Sequence, residues 1–198
     1  MTGLHTDEQP DEEPAEHRRF ACYLRALEAV AEADEADLVA AVLRDQGTTR
    51  ADSAVGRHLD RRAVDLLTGP AFTAWARAMT GVIADRDFLT LRLREWTLLR
   101  TIALGNPWTA EDLTSASDWF QRMATTLQIV ASPEALRLLA EGGRTRRVRN
   151  AAIRQLQHRD QPSSLDPQVL TIPVVSATER HSGGRTANYG GQWELWGP

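Results

Sequence analysis

The stretch from Pro70 to Gly105, PAFTAWARAMTGVIADRDFLTLRLREWTLLRTIALG, decides the fold. Apolar residues return at three- and four-residue steps, as Phe72, Trp75, Ala76, Met79, Val82 and Ile83 and then as Phe88, Leu91, Trp96, Leu99 and Ile102. That spacing gathers side chains on one face of an α-helix, and no period-two alternation of a half-buried strand competes with it. The punctuation agrees. Gly69 closes the preceding helix and Pro70 opens the next, the usual Gly-after-end, Pro-at-start order. Asp85 or Asp87 is placed to cap the second helix, and Gly105 to end it.

Reading toward the N-terminus, Val55, Leu59, Ala63, Leu66 and Leu67 predict a helix that follows Asp52-Ser53. Phe20, Leu24, Leu27, Val30 and Ala31 predict an earlier one, and Leu38, Val42 and Leu43 another that starts at an Asp34 cap and stops at Gly47. Toward the C-terminus, Thr109-Ala110-Glu111-Asp112 reads as a capping box with Asp in place of Glu. It opens a helix through Leu113, Ala116, Trp119, Phe120, Met123, Leu127 and Val130. Ser132-Pro133-Glu134 is the sharpest helix start of all: a capping hydroxyl, Pro in the first turn, and an acid near the positive helix end. That helix runs to Gly142-Gly143, and a last one carries Val148, Ala152 and Leu156. The expectation is an all-α fold of about seven short antiparallel helices, in a bundle or a short stack.

The flanks differ. Residues 1–14 combine Asp7, Glu8, Asp11, Glu12 and Glu13 with Pro10 and Pro14, which reads as a disordered acidic leader. Residues 161–198 carry four prolines and five glycines and read as an extended, irregular tail. Pro173 keeps its one β-prone run, Val169–Val175, out of any central strand. The helical domain is therefore expected over 15–160.

Of the 198 residues, 42% are hydrophobic and 25% charged, ordinary values for a globular chain. All 23 basic residues are arginine, each a planar guanidinium suited to carboxylate or phosphate. With frequent alanine, this usage suggests a high-GC bacterial genome. Charge is uneven: residues 1–45 hold 12 acids against 4 arginines, whereas the remainder is net basic. The single cysteine, Cys22, excludes an internal disulfide and reads as semi-buried and structural. The longest run without a charged residue or histidine, Pro167–Thr178, is too short and too proline-rich for a membrane helix. The acidic N-terminus lacks the pattern of a signal peptide, so a cytoplasmic protein with no membrane partner is expected.

Residues Ser132–Gln155, SPEALRLLAEGGRTRRVRNAAIRQ, run from a Pro-initiated leucine helix through a Gly break to an Arg-Val-Arg helix with small residues. This segment resembles one HEAT-type helical repeat. The resemblance covers only these residues, and no fixed period recurs along the chain. It implies a stacked-helix binding scaffold without catalysis.

Reactive chemistry finds little support. His5, His17, His58, His158 and His181 offer no pair three or four residues apart and read as surface residues, so neither a catalytic set nor a metal site is assigned. The absence of lysine excludes a standard phosphate loop and Schiff-base chemistry, and no cofactor is implied. An enzyme would need an unrecognised site. Two features point to binding instead. Between Arg137 and Arg159 seven arginines face a single acid, Glu141; Arg144, Arg146, Arg147, Arg149 and Arg154 are candidate contacts to phosphate or to an acidic partner. An alternative is that they pair with the chain's own acidic front. Among the tryptophans, Trp75, Trp96 and Trp119 read as core and Trp108 as a cover over a helix end. Tyr189, Trp193, Leu195 and Trp196 stand among glycines, an aromatic motif suited to anchoring on a protein partner. The first reading is therefore a non-catalytic interaction or adaptor protein that docks through its C-terminal tail. The alternative is a nucleic-acid-binding regulator using the Arg137–Arg159 cluster. A minor one is a precursor cleaved near Gly183-Gly184.

Overall fold

The computed structural model describes residues 15–45, 48–127 and 132–160. The described residues form nine α-helices and one short 3-10 turn, with no strand among them. In order they are α1 (Ala15–Ala29), the turn (Glu32–Asp34), α2 (Glu35–Leu43), α3 (Thr48–Leu66), α4 (Phe72–Val82), α5 (Asp87–Ala103), α6 (Ala110–Ser115), α7 (Asp118–Thr126), α8 (Pro133–Gly142) and α9 (Arg146–Asp160). The all-α expectation holds. The tail, the acidic leader and the aromatic motif Tyr189, Trp193, Leu195 and Trp196 lie outside the described residues.

Helix α3 is the central element. It packs against α1, α2 and α5, and its buried face reads Ala51, Ala54, Val55, Leu59 and Ala63. Alanines at three of these positions let neighbouring helices approach closely. From α5 the packing continues through α7 to the α8–α9 pair. Trp96 is fully buried between these parts and meets Trp119 edge-to-face, ring centroids 5.4 Å apart. Phe72 and Trp75 of α4 make a second edge-to-face pair at 5.5 Å. Trp108, in the turn before α6, packs partly buried against the core.

Arginines fasten helix ends. Arg61 of α3 donates to the Leu27 carbonyl of α1 (2.9 Å), and Arg86 to the Leu43 carbonyl that ends α2 (2.7 Å). Arg100 of α5 donates to the Leu67 carbonyl just beyond α3. The last carbonyls of a helix have no intrahelical donor and carry its negative dipole end, so a guanidinium there answers both needs.

The capping signals divide into those that act as read and those that do not. Thr109 accepts the Asp112 N–H (3.1 Å) while Asp112 accepts the Thr109 N–H (3.0 Å), the reciprocal box. Ser132 accepts the Ala135 N–H (3.3 Å) ahead of Pro133. Gly105, at φ 68°, ends α5: its N–H reaches Ile102 O (3.1 Å) and that of Asn106 reaches Thr101 O (2.9 Å), the paired bonds of a Schellman end. By contrast, α3 starts at Thr48, ahead of Asp52-Ser53, and Asp52 sits inside it facing Arg86 at 3.5 Å. Asp34 ends the 3-10 turn and makes no side-chain cap. Pro70 lies in the turn before α4. The long helix expected after Thr109 is two: Ala116 is extended, and Ser117 caps α7 by accepting the Phe120 N–H (3.2 Å).

Leu59, fully buried at the middle of α3, provides a direct check of this core. Leu59→Ala is expected to lower unfolding free energy by about 2–5 kcal/mol. In urea titration the midpoint falls while the denaturant slope stays constant.

Candidate functional site

The arginine cluster read from the sequence lands on the α8–α9 hairpin. Gly143 makes the hairpin tight: a Cβ there would stand 2.5 Å from Leu139 O and 2.9 Å from Val148 Cγ1. Val148 and Ala152 are buried and Leu156 half-buried, so α9 turns the opposite face outward. Arg146, Arg147, Asn150, Arg154, Gln157 and His158 are exposed on that face.

The five candidate arginines do not behave alike. Arg149 is half-buried and donates to the Gly143 carbonyl that ends α8 (2.6 Å). Arg144 is bound by its backbone N–H to Gln121 Oε1 (2.9 Å) and reaches the Ala116 carbonyl (3.4 Å), with Asp118 at 3.7 Å. Arg146, Arg147 and Arg154 make no ion pair or hydrogen bond among the described residues. Three described acids of the front segment are engaged elsewhere: Glu28 with Arg61 (3.3 Å), Glu35 with Arg62 (3.1 Å) and Asp45 with Arg19 (3.7 Å). No ion pair among the described residues joins a front acid to Arg146, Arg147 or Arg154.

Beside the hairpin, Arg144 lines a cleft of about 310 Å3 that opens against α5 and the start of α7. Phe88 and Leu91, expected on the apolar face of α5, stand 52% and 49% exposed at this cleft. The face that enters the core instead carries Leu89, Leu93, Trp96, Leu99 and Ile102.

A third cluster was not foreseen. His58 is buried, not a surface residue, and it meets Glu35 of α2, itself only 2% exposed. Glu35 Oε1 accepts from His58 Nε2 (2.8 Å), Trp75 Nε1 (2.8 Å) and Arg62 Nε (3.1 Å), so one carboxylate joins α2, α3 and α4. Arg61 lies 3.3 Å from His58 Nδ1 and can only donate there, so the proton that His58 gives to Glu35 sits on Nε2. Burial acts to raise the Glu35 pKa, but the hydrogen bonds from His58, Arg62 and Trp75 and the charge of Arg62 outweigh it and hold the carboxyl at about 2, against an ordinary 4.5. With both residues enclosed, the network locks helices together and presents nothing to a substrate. The sequence signal was faint: an Asp/Glu-rich break before α2 and a lone His on the apolar side of α3. Cys22, expected to be semi-buried, is exposed on α1. Among the described residues no group of three or more His, Cys, Asp or Glu could hold a metal ion, and no helix is long and apolar enough to cross a membrane.

Comparison with protein-family models, curated proteins and solved structures finds no match to the chain.

A depressed carboxyl pKa stabilises the fold above the unfolded-state value and ceases to do so as pH falls through the folded-state value. The Glu35 contribution is therefore fully present above roughly pH 5 and is lost on acidification toward pH 2. Its size is roughly 3 kcal/mol for the shift described. Glu35→Gln, which leaves Arg62 without its carboxylate, is expected to destabilise by about 3–5 kcal/mol at pH 7. Chemical denaturation of both proteins from pH 7 to pH 2 should show the gap closing at the acidic end. A gap independent of pH would contradict the assignment.

Proposed function

We propose that this protein is a non-catalytic helical interaction module that binds an acidic segment of a partner protein through the outer face of α9. The observation that carries this reading is the set of exposed, unneutralised guanidiniums at Arg146, Arg147 and Arg154. Three arginines projecting from one rigid helix offer forked donors to carboxylates without first breaking internal pairs. The formal net charge of −4 opposes general attraction to a polyanion, so local complementarity has to supply recognition. The aromatic motif at Tyr189, Trp193, Leu195 and Trp196 belongs to the same reading as a second anchor. Likeness to a HEAT-type repeat is kept for α8 and α9, supported by their close packing and the three-residue connection. Placement in the bacterial cytoplasm completes the proposal, supported by the lone cysteine and the arginine-only usage.

A nucleic-acid reading rests on the same face, because Asn150 and Gln157 stand exposed among the arginines and could read base edges. Fluorescence anisotropy at low salt separates the two. An octaglutamate peptide is expected to bind the full-length protein and a mixed-sequence DNA duplex to bind at least about tenfold more weakly. Replacing Arg146, Arg147 and Arg154 together by Gln should abolish peptide binding with little change in melting temperature, since none has a side-chain partner among the described residues. Preferential binding of the duplex transfers the face to nucleic acid, and failure of both probes removes the proposal.

A further inference from the structure

The cleft beside α5 contains a buried carboxylate without a counter-ion. Glu95 is 5% exposed, and its Oε1 accepts the Ser117 backbone N–H at 2.9 Å. No arginine or histidine lies within ion-pair distance of it among the described residues. The neighbouring charges are already matched. Arg92 pairs with Asp60 (2.9 Å) and stacks 3.7 Å over the Trp119 ring, while Trp96 donates to the other Asp60 oxygen (2.7 Å). Arg144 and Asp118 face each other loosely at 3.7 Å, each more than half exposed. Burial pushes the Asp60 carboxyl above its ordinary pKa, and the nearby negative charge of Glu95 acts in the same direction, against Arg92 and Trp96. Glu95 is thus the surplus carboxylate, and it lines a cavity of about 310 Å3.

A buried carboxylate is costly unless a cation meets it, and one backbone N–H satisfies only part of its accepting capacity. Arg92 and Arg144 line the cleft with Glu95 and Asp118, but Arg92 is held by Asp60 and Arg144 faces Asp118, so an anion would meet the surplus charge of Glu95 and a neutral guest would leave it unpaired. A cation carried on methylenes suits Glu95 and the apolar walls. Its charge meets Glu95, with Asp118 at the rim, and its stem covers Phe88 and Leu91, both about half exposed. The volume lies at the small end of ligand sites, about 300–1,000 Å3, and holds one group of amino-acid size. We propose that this cleft is a binding site for an organic cation, a guanidinium or ammonium on a short apolar stem, whose charge pairs with Glu95 and whose stem rests on Phe88 and Leu91. The proposal does not depend on the α9 face.

Titration calorimetry on the full-length protein tests it with agmatine, a guanidinium and an ammonium joined by four methylenes, and with butylurea as the uncharged control. Agmatine is expected to bind saturably and butylurea not at all. Glu95→Gln retains an acceptor for the Ser117 N–H, removes the charge, and should weaken agmatine about tenfold or more. Phe88→Ala, at an exposed position that does not support the core, should weaken it about threefold and carries the test if Glu95→Gln does not fold. Arg144→Gln removes a competing cation from the rim and should strengthen binding. A blocked Ala-Arg-Ala peptide distinguishes the sources: tighter binding than agmatine assigns the site to a partner's side chain, and equal or weaker binding to a free small cation. The proposal is overturned if neither probe binds, if Glu95→Gln changes nothing, or if Arg144→Gln weakens binding. The Arg146, Arg147 and Arg154 triple variant should bind agmatine unchanged, so the two readings fail separately.

Discussion

The Glu35 carboxylate, enclosed at the head of α2, receives donors from His58, Arg62 and Trp75 and so sets where α2, α3 and α4 stand relative to one another. An apolar contact tolerates sliding; a carboxylate out of water does not, because any displacement leaves charge unpaired in a low-dielectric interior. Hydrophobic area supplies most of the driving force along α3, yet it is indifferent to register. The charged knot supplies the register, and the Leu27 carbonyl bound by Arg61 extends it to α1.

Arginine is spent in this molecule chiefly on joining helices. Arg61, Arg86, Arg100 and Arg149 each reach a carbonyl at or near a helix C-terminus. Arg62 and Arg92 each meet a carboxylate on another helix or at its boundary. A long side chain with a planar head spans the gap between helices, covers apolar surface with its stem and answers several acceptors at once. On the outer face of α9, Arg146, Arg147 and Arg154 join nothing among the described residues, as Arg57, Arg77, Arg94 and Arg137 do not elsewhere, but here three stand on one helix face. The Glu95 cleft is the complementary exception, a buried carboxylate that no arginine meets among the described residues. Both exceptions flank the α8–α9 turn, where Arg144 touches the cleft and Arg146 begins the exposed face.

Much of the helical pattern was legible because capping and periodicity are local. Thr109 with Asp112, Ser132 with Pro133, and the positive-φ Gly105 act within four or five residues, a range over which the sequence is the whole environment. The errors share a cause. The break at Ala116-Ser117 depends on Glu95, a residue of another helix that captures the Ser117 N–H. The early start of α3 places Asp52 opposite Arg86 of a different element. Phe88 and Leu91 fit an apolar periodicity, yet Leu89 and Leu93 one and two places on fit the neighbouring helices better. Periodicity names a stripe, and packing decides which edge of the stripe is covered.

The order of apolar, small and capping residues was enough to determine an all-α chain, most of its helix ends and the location of its arginine cluster, since each depends on contacts close along the backbone. Tertiary structure alone decided which charges were consumed and which were left over. His58 met Glu35, Arg61 met the end of α1, and Glu95 met no cation among the described residues, and these outcomes rest on groups that are distant in sequence and within 3 Å or so of each other, or not, only after the helices have packed.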